Sequence, residues 1–222
     1  MNNAHYMATD HALHVNTRDM ARPPKEIIAY ELHGNCYLNI TWRCTLRCKF
    51  CPKFNGEWTV QGYDLRLHHE PEIEDIIDAI GDPSDYQEIV FCGLGEPTMR
   101  LGVVVEVARL LKHQGVKIRI NTDGLGNLLY RHDITPQLHG LIDTVSISMN
   151  AQNQDVYDKH CRPGIQGAYP AMLDFTRMVK TQVPHVVMTA IEGLPGVDIQ
   201  ACKNTAEQLG VGFRTRYLDL VG

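Results

Sequence analysis

The chain has 222 residues, 44% hydrophobic and 21% charged, with a formal net charge of −5. That length supports a sizeable core in one domain, and the acidic balance gives no general attraction for nucleic acid. No apolar run is long enough to span a membrane, and the N-terminal segment lacks an apolar signal core.

Residues 1–24 are polar, rich in His and Asn, and end in Arg22-Pro23-Pro24. They read as a flexible arm, drawn here over residues 1–30, ahead of one folded domain over 31–222. Strand-like runs follow at residues 35–41, 88–92, 117–121, 144–150, 185–191 and 213–218. Between them, residues 72–80, 103–113, 169–181 and 199–209 carry apolar side chains at helical spacing. Gly81-Asp82-Pro83, Gly115 and Gly210 stand where those helices should stop. Six strands alternating with helices point to parallel β/α units and right-handed crossovers.

Several of these strands alternate apolar with polar residues. Lys117-Ile-Arg-Ile-Asn121 does so, as do Val145-Ser-Ile-Ser-Met-Asn150 and Tyr37-Leu-Asn-Ile-Thr41. A closed eight-stranded barrel packs its interior with branched apolar side chains. Six units with one polar face fit a partial, open (β/α)6 barrel of parallel strands, whose polar face lines a wet lumen. A flat doubly wound sheet is the alternative. In either, ligands gather at the carboxyl ends of the strands.

The first such end carries Cys44-Thr-Leu-Arg-Cys48-Lys-Phe-Cys51, three cysteines within eight residues. A loop this short can hold three corners of a cubane iron–sulfur cluster but not the fourth. Electron-transfer clusters ordinarily use four cysteines, so a three-thiolate loop leaves one iron open for a ligand. Zinc with a distant fourth ligand is the competing reading, and eleven histidines offer candidates. Cys36, Cys92, Cys161 and Cys202 are scattered and read as small buried hydrophobes. A disulfide scaffold does not suit this length and spacing, and free thiols with a labile cluster imply a reducing cytoplasm.

Further motifs fall at the same rim. Gly93-Leu-Gly-Glu-Pro97 follows the second strand and Asn121-Thr-Asp-Gly124 the third, while Asn150, Glu192 and Tyr217 end the remaining three. The cysteine loop after the first strand, with Phe50 before its last cysteine, and a Gly-Gly-Glu-Pro-like segment after the second, resemble the radical S-adenosylmethionine (SAM) superfamily. Tyr37 to Cys44, Val90 to Pro97, Asn121 to Gly124, Tyr157 to Pro163 and Leu194 to Asp198 are similar to the subgroup associated with TatD-type nucleases. That subgroup's name is not a reaction.

The resemblance implies that Cys44, Cys48 and Cys51 hold a [4Fe–4S] cluster. Its open iron would bind the amino and carboxylate groups of SAM, and a 5′-deoxyadenosyl radical would take hydrogen from a substrate. Gly95 and Glu96 match the segment that meets the methionine amino group. Glu96 can equally be a capping carboxylate before the next helix. Asn121, Ser148, Asn150 and Glu192 match strand ends that bind ribose and carboxylate, although Asn121-Thr-Asp-Gly124 also reads as an Asx turn. Phe50 and Tyr217 could flank adenine or pack in the core. Leu94 departs from the pattern where the first paired glycine would stand.

Arg43, Arg47, Lys49 and Lys53 surround the loop, to dock an acidic one-electron donor such as flavodoxin or ferredoxin, to bind an anionic substrate, or as a solvated face. Residues 58–69 are a candidate for substrate contact, and Arg119, Arg214 and Arg216 for reaching the lumen. The expected activity is hydrogen abstraction from a small anionic molecule. Deazapurine or queuosine-related chemistry leads, of the queuine lyase or 7-carboxy-7-deazaguanine synthase kind, with lyase, isomerase and oxidoreductase unresolved. A glycyl-radical activase and a non-catalytic iron–sulfur or zinc module assisting a nuclease are the alternatives.

Overall fold

The computed structural model describes residues 26–218. The arm expected over residues 1–30 therefore lies, up to residue 25, outside the described residues. The chain enters through an antiparallel pair, β1 (Ala29–Leu32) and β2 (Asn35–Leu38). The cysteine loop follows, then a short hairpin of β3 (Thr59–Val60) and β4 (Tyr63–Asp64), and α1 (Ile73–Ile80). After β5 (Ile89–Phe91) come α2 (Leu101–Lys112), β6 (Ile118–Thr122) and the short α3 (Gly126–Tyr130). Next are β7 (Thr144–Ser148), α4 (Gln154–Cys161) and α5 (Ala168–Val179). The last unit is β8 (His185–Glu192), α6 (Ile199–Leu209) and β9 (Gly212–Tyr217).

The main sheet has seven strands in the order β1-β2-β5-β6-β7-β8-β9. From β2 onward every neighbour is parallel. Among the described residues the two ends of the sheet do not pair, so the six parallel units form an unclosed, partial barrel, as the strand count predicts. The β3–β4 hairpin was not foreseen, and neither was one strand of the main sheet. Ala29–Leu32 adds to the edge through a tight hairpin in which both loop residues take left-handed backbone, His33 at φ 54° and Gly34 at φ 74°. That mirror-image turn matches the twist of an antiparallel pair, and glycine adopts it without strain.

The two-residue period decides which side chains meet the helices. Ile89, Phe91, Ile118, Ile120, Val145, Ile147, Met188 and Ala190 all join the main core with Val104, Val107, Met172, Phe175 and Ala206 of the helices. The intervening positions, Arg119, Asn121, Ser146, Ser148 and Thr189, face the other way. A smaller cluster of Tyr30, Val60, Leu65 and Leu94 packs between the β3–β4 hairpin and the edge of the sheet.

Helix ends are fixed locally. The Asn153 side chain accepts from Val156 N at 3.0 Å and that of Asp198 from Ala201 N at 3.0 Å, each taking up a donor that an isolated helix start leaves unmatched. Gly210 ends α6 in left-handed backbone.

Phe175 of α5 is fully buried in the main core, whereas Leu110 of α2 is 41% exposed. Phe175→Ala should cost about 3–5 kcal/mol in urea unfolding. Leu110→Ala should stay within about 0.5 kcal/mol of wild type.

Candidate active site

The cysteine loop is held from two sides. Arg47 N donates to Cys161 O at 3.0 Å and Lys49 N to His160 O at 2.8 Å, so the end of α4 backs the loop. Gly164 N donates to Thr45 O at 3.0 Å, and Lys53 Nζ to Trp42 O at 2.7 Å. On the opposite flank Glu96 N donates to Arg43 O at 2.8 Å, and Thr45 Oγ1 donates to Asp123 Oδ2. Before the loop, Glu70 takes both Arg43 Nε at 2.8 Å and Arg43 Nη2 at 2.9 Å. Arg100 reaches Ile40 O and Pro71 O at 2.9 and 2.6 Å.

Gly95 permits this close approach. A Cβ there would stand 2.2 Å from Thr41 O and 2.8 Å from Arg43 O, backbone atoms that cannot swing aside. Leu94, the departure from the paired-glycine pattern, turns its side chain into the Tyr30–Val60–Leu65 cluster.

Glu96 is 3% exposed and its carboxylate is saturated from within the protein. Oε1 accepts from Thr98 N, Thr98 Oγ1 and Thr122 Oγ1 at 2.9, 2.6 and 2.7 Å, and Oε2 accepts from Asp123 N at 2.7 Å. The capping reading of Glu96 is thus realised, at the start of the 3₁₀ turn Pro97–Arg100. The same carboxylate ties the ends of β5 and β6 together. The Asx turn of this segment is made by Asp123, which accepts from Leu125 N at 2.9 Å, and not by Asn121, whose Oδ1 has no hydrogen-bond partner. Burial, and then the neighbouring Glu96 charge, push the Asp123 carboxyl well above its ordinary value.

These segments enclose a cavity of about 330 Å³ at the carboxyl ends of the strands. Its walls include Cys44, Cys48 and Cys51, and also Phe50, Gly95, Glu96, Asn121, Ser148, Asn150 and Tyr217. Of the residues that the resemblance assigned to the cluster and to SAM, all line this cavity except Glu192. The parity of β8 explains the exception: Thr189 and Ile191 face the cavity, so Glu192 turns away and is exposed. Arg214 and Arg216 line the cavity as expected for the lumen. Arg119 instead pairs with Glu88 at 2.8 Å and reaches the Tyr37 hydroxyl at 3.4 Å. Nothing from residues 58–69 lines the cavity; Trp58 and Tyr63 pack on the small cluster. Sequence reading passed over Cys92, Asp123 and Thr189 as site residues, the first as a core thiol and the second as a turn.

Two wall atoms are conspicuous. Asn121 Oδ1 and Arg216 Nε are buried without a hydrogen-bond partner. A buried polar atom left unmatched costs about 1–3 kcal/mol, so such atoms on a cavity wall are ready for a ligand. Asn121 hydrogen-bonds the Cys92 thiol, and Arg216 Nη2 donates to Asn150 Oδ1 at 2.9 Å.

The thiols are poised for metal. Burial raises Cys44, and the Asp123 and Glu96 charges add to it; Cys48 is raised by its hydrogen bond with Cys161 and by burial. Burial also raises Cys51, opposed by Lys53. Thiols held protonated by burial become ligands when a metal supplies the compensating charge. Among the described residues, no group of three or more His, Cys, Asp and Glu closes on a point that would hold one metal ion.

The model of the radical SAM superfamily matches residues 38–209. The chain belongs to the radical SAM superfamily. It is therefore an enzyme domain of a family whose cofactors are SAM and a [4Fe–4S] cluster. No curated protein matches it. Among solved structures, TYW1 with a lysine-pyruvate adduct bound is similar at TM-score 0.58 and 15% identity, over 84% of this chain and 65% of that one. Streptococcus suis SuiB bound to SAM is similar at 0.58 and 12%, over 82% and 38%. Methylornithine synthase (PylB) is similar at 0.54 and 16%, over 83% and 53%. The chain spans less than two thirds of each of these proteins, and at such identities the likeness is one of fold.

The raised Asp123 carboxyl carries a pH signature. At low pH it is protonated both folded and unfolded and costs nothing. As pH rises past the unfolded value, the unfolded chain gains by ionising and the folded state does not, so wild-type stability falls until the folded value is reached. Asp123→Asn should therefore gain stability relative to wild type as pH rises from 3 to 8, with the gain vanishing near pH 3 in urea titrations of metal-free protein.

Proposed function

We propose that this chain is a radical SAM enzyme acting on a small anionic substrate, with Cys44, Cys48 and Cys51 as the ligands of its cluster. The observation that carries the reading is the meeting of those three thiols with unmatched Asn121 Oδ1 and Arg216 Nε around one cavity. When bound, the cluster and SAM supply a one-electron cleavage whose 5′-deoxyadenosyl radical abstracts hydrogen from substrate.

The protein's own residues supply orientation and shielding. Glu96 already accepts four hydrogen bonds, so it acts by holding the segment at Gly95 against the cysteine loop, and the backbone of that segment is the surface offered to the methionine amino group. Asn121, Ser148 and Asn150 supply donors and acceptors for ribose and carboxylate, and Phe50 and Tyr217 supply faces for adenine. Glu192 points away and is left out of this set. Arg214 and Arg216 give the cavity its positive charge, which supports an anionic substrate. Exposed Arg47 and Lys49, beside the proposed ligands, suit an acidic one-electron donor such as flavodoxin or ferredoxin.

Deazapurine or queuosine-related molecules remain the leading substrate class. Placement beside the TatD-associated subgroup rests on the sequence stretches named above.

Anaerobically purified protein should hold four irons with sulfide and release 5′-deoxyadenosine on reduction with SAM. One zinc and no iron would instead support a non-catalytic module. Changing Cys44, Cys48 or Cys51 to Ala should remove both the iron and the cleavage, measured by metal analysis and chromatography. Arg216→Ala should keep the iron but raise the KM for SAM or for an anionic substrate about tenfold or more. Separate titration of the two ligands identifies which one it grips. The substrate itself is sought by screening deazapurine and queuosine-related nucleosides for stimulated 5′-deoxyadenosine release.

A further inference from the structure

The cavity wall carries positive charge that the protein itself does not balance. Arg214 and Arg216 line it together with the carboxyl groups of Glu96, Asp123 and Glu57. Glu96 is taken up by its donors from Thr98, Thr122 and Asp123. Asp123 accepts from Thr45 Oγ1 and Leu125 N, and Glu57 stands exposed. Among the described residues, no carboxylate forms an ion pair with either arginine, whereas Arg43, Arg100, Arg109, Arg119 and Arg177 each have one.

Arg216 is fixed by a neutral group instead. Its Nη2 donates to Asn150 Oδ1 at 2.9 Å, and Asn150 is 1% exposed. Its Nε is buried with no hydrogen-bond partner. An amide oxygen aims a guanidinium without neutralising it, and a buried cation is tolerated when a counter-charge meets it.

The period of β9 sets the spacing. Residues two apart on a strand share a face, so Arg214 and Arg216 leave the sheet on the same side from positions roughly 7 Å apart. They pair in register with Thr189 and Ile191, which also line the cavity. Long side chains so placed can converge on one group, and two positive charges then face it. A carboxylate answers one guanidinium fork and leaves the other charge unmet. A phosphoryl group carries nearly two negative charges and three acceptor oxygens, enough for both forks.

We propose that Arg214 and Arg216 together seat a phosphoryl dianion of the substrate, which is therefore a phosphate monoester. The inference rests on the reading of this cavity as the substrate site. Asn150 Oδ1 acts as a positioning group that holds Arg216 for the anion. The carboxylate of SAM binds elsewhere in this scheme.

The test is calorimetric titration of the full chain, purified anaerobically with its cluster, with SAM present and no reductant. It is run at pH 8, where a phosphate monoester is dianionic. Phenyl phosphate and benzoate are the probes, since they share a ring and differ in the anion. Wild type should bind phenyl phosphate about tenfold or more tightly than benzoate. Arg214→Gln and Arg216→Gln should each weaken phenyl phosphate about tenfold or more. Arg109→Gln, exposed on α2, should change neither probe. Arg214 is itself exposed, so its variant tests the seat even if Arg216→Gln disturbs the fold. Equal affinity for the two probes, or phenyl phosphate binding untouched by both cavity substitutions, would overturn the proposal. So would binding of phenyl phosphate that SAM abolishes, because the arginines would then belong to the SAM carboxylate. A wild type that holds iron and releases 5′-deoxyadenosine on reduction, yet binds no phenyl phosphate, refutes the seat alone. A chain that takes up no iron but binds phenyl phosphate through both arginines keeps the seat and refutes the radical reading.

Discussion

One buried carboxylate holds the working rim together. Glu96 gathers donors from its own turn and from the end of the adjacent strand, while its backbone amide reaches the loop that carries the cysteines. A charge this deeply buried is tolerable when its lone pairs are matched by hydrogen bonds. Three strand-end segments, otherwise free to move independently, are thereby fixed to one another. The position of Cys44 relative to the cavity wall follows from that fixation and from the backing that α4 gives the loop.

The sheet makes the cavity by leaving one of its faces polar. Apolar side chains of β5 to β8 go to the helices, and the alternate positions supply hydroxyls, amides and guanidinium groups to the interior. Such a face can be kept only where the sheet does not close and fill itself, since a packed barrel interior needs branched apolar residues. The unclosed sheet and the polar cavity are consequences of one alternation.

Much of this was legible in the chain. The Ser146–Ser148–Asn150 alternation revealed the lumen face, and the six parallel strands fell in the predicted places. The convergence of the cysteine loop with Gly95, Asn121 and Tyr217 followed from the rule that strand ends gather ligands. What stayed hidden depends on register and on distant partners. A shift of one residue decides whether Glu192 or Ile191 faces inward, and sequence does not mark where the parity of β8 is counted from. The saturation of Glu96 depends on Thr122, 26 residues away, and could not be read locally. The edge strand at Ala29–Leu32 is short, and its His33-Gly34 turn gives a weaker hairpin signal than Asn-Gly. Cys161 reads as a core thiol and is wholly buried, but its contact with Asn150, 11 residues earlier, could not be read locally.

The cations of the cavity sit on β9, which among the described residues pairs with β8 alone. Outer strands exchange their amide hydrogens through smaller openings than inner ones. The enclosure is consequently mechanically lopsided: its sulfur-bearing side is braced from two directions, while its guanidinium side can breathe. Entry and exit of an anionic guest would be easiest through that yielding flank, without disturbing the braced one.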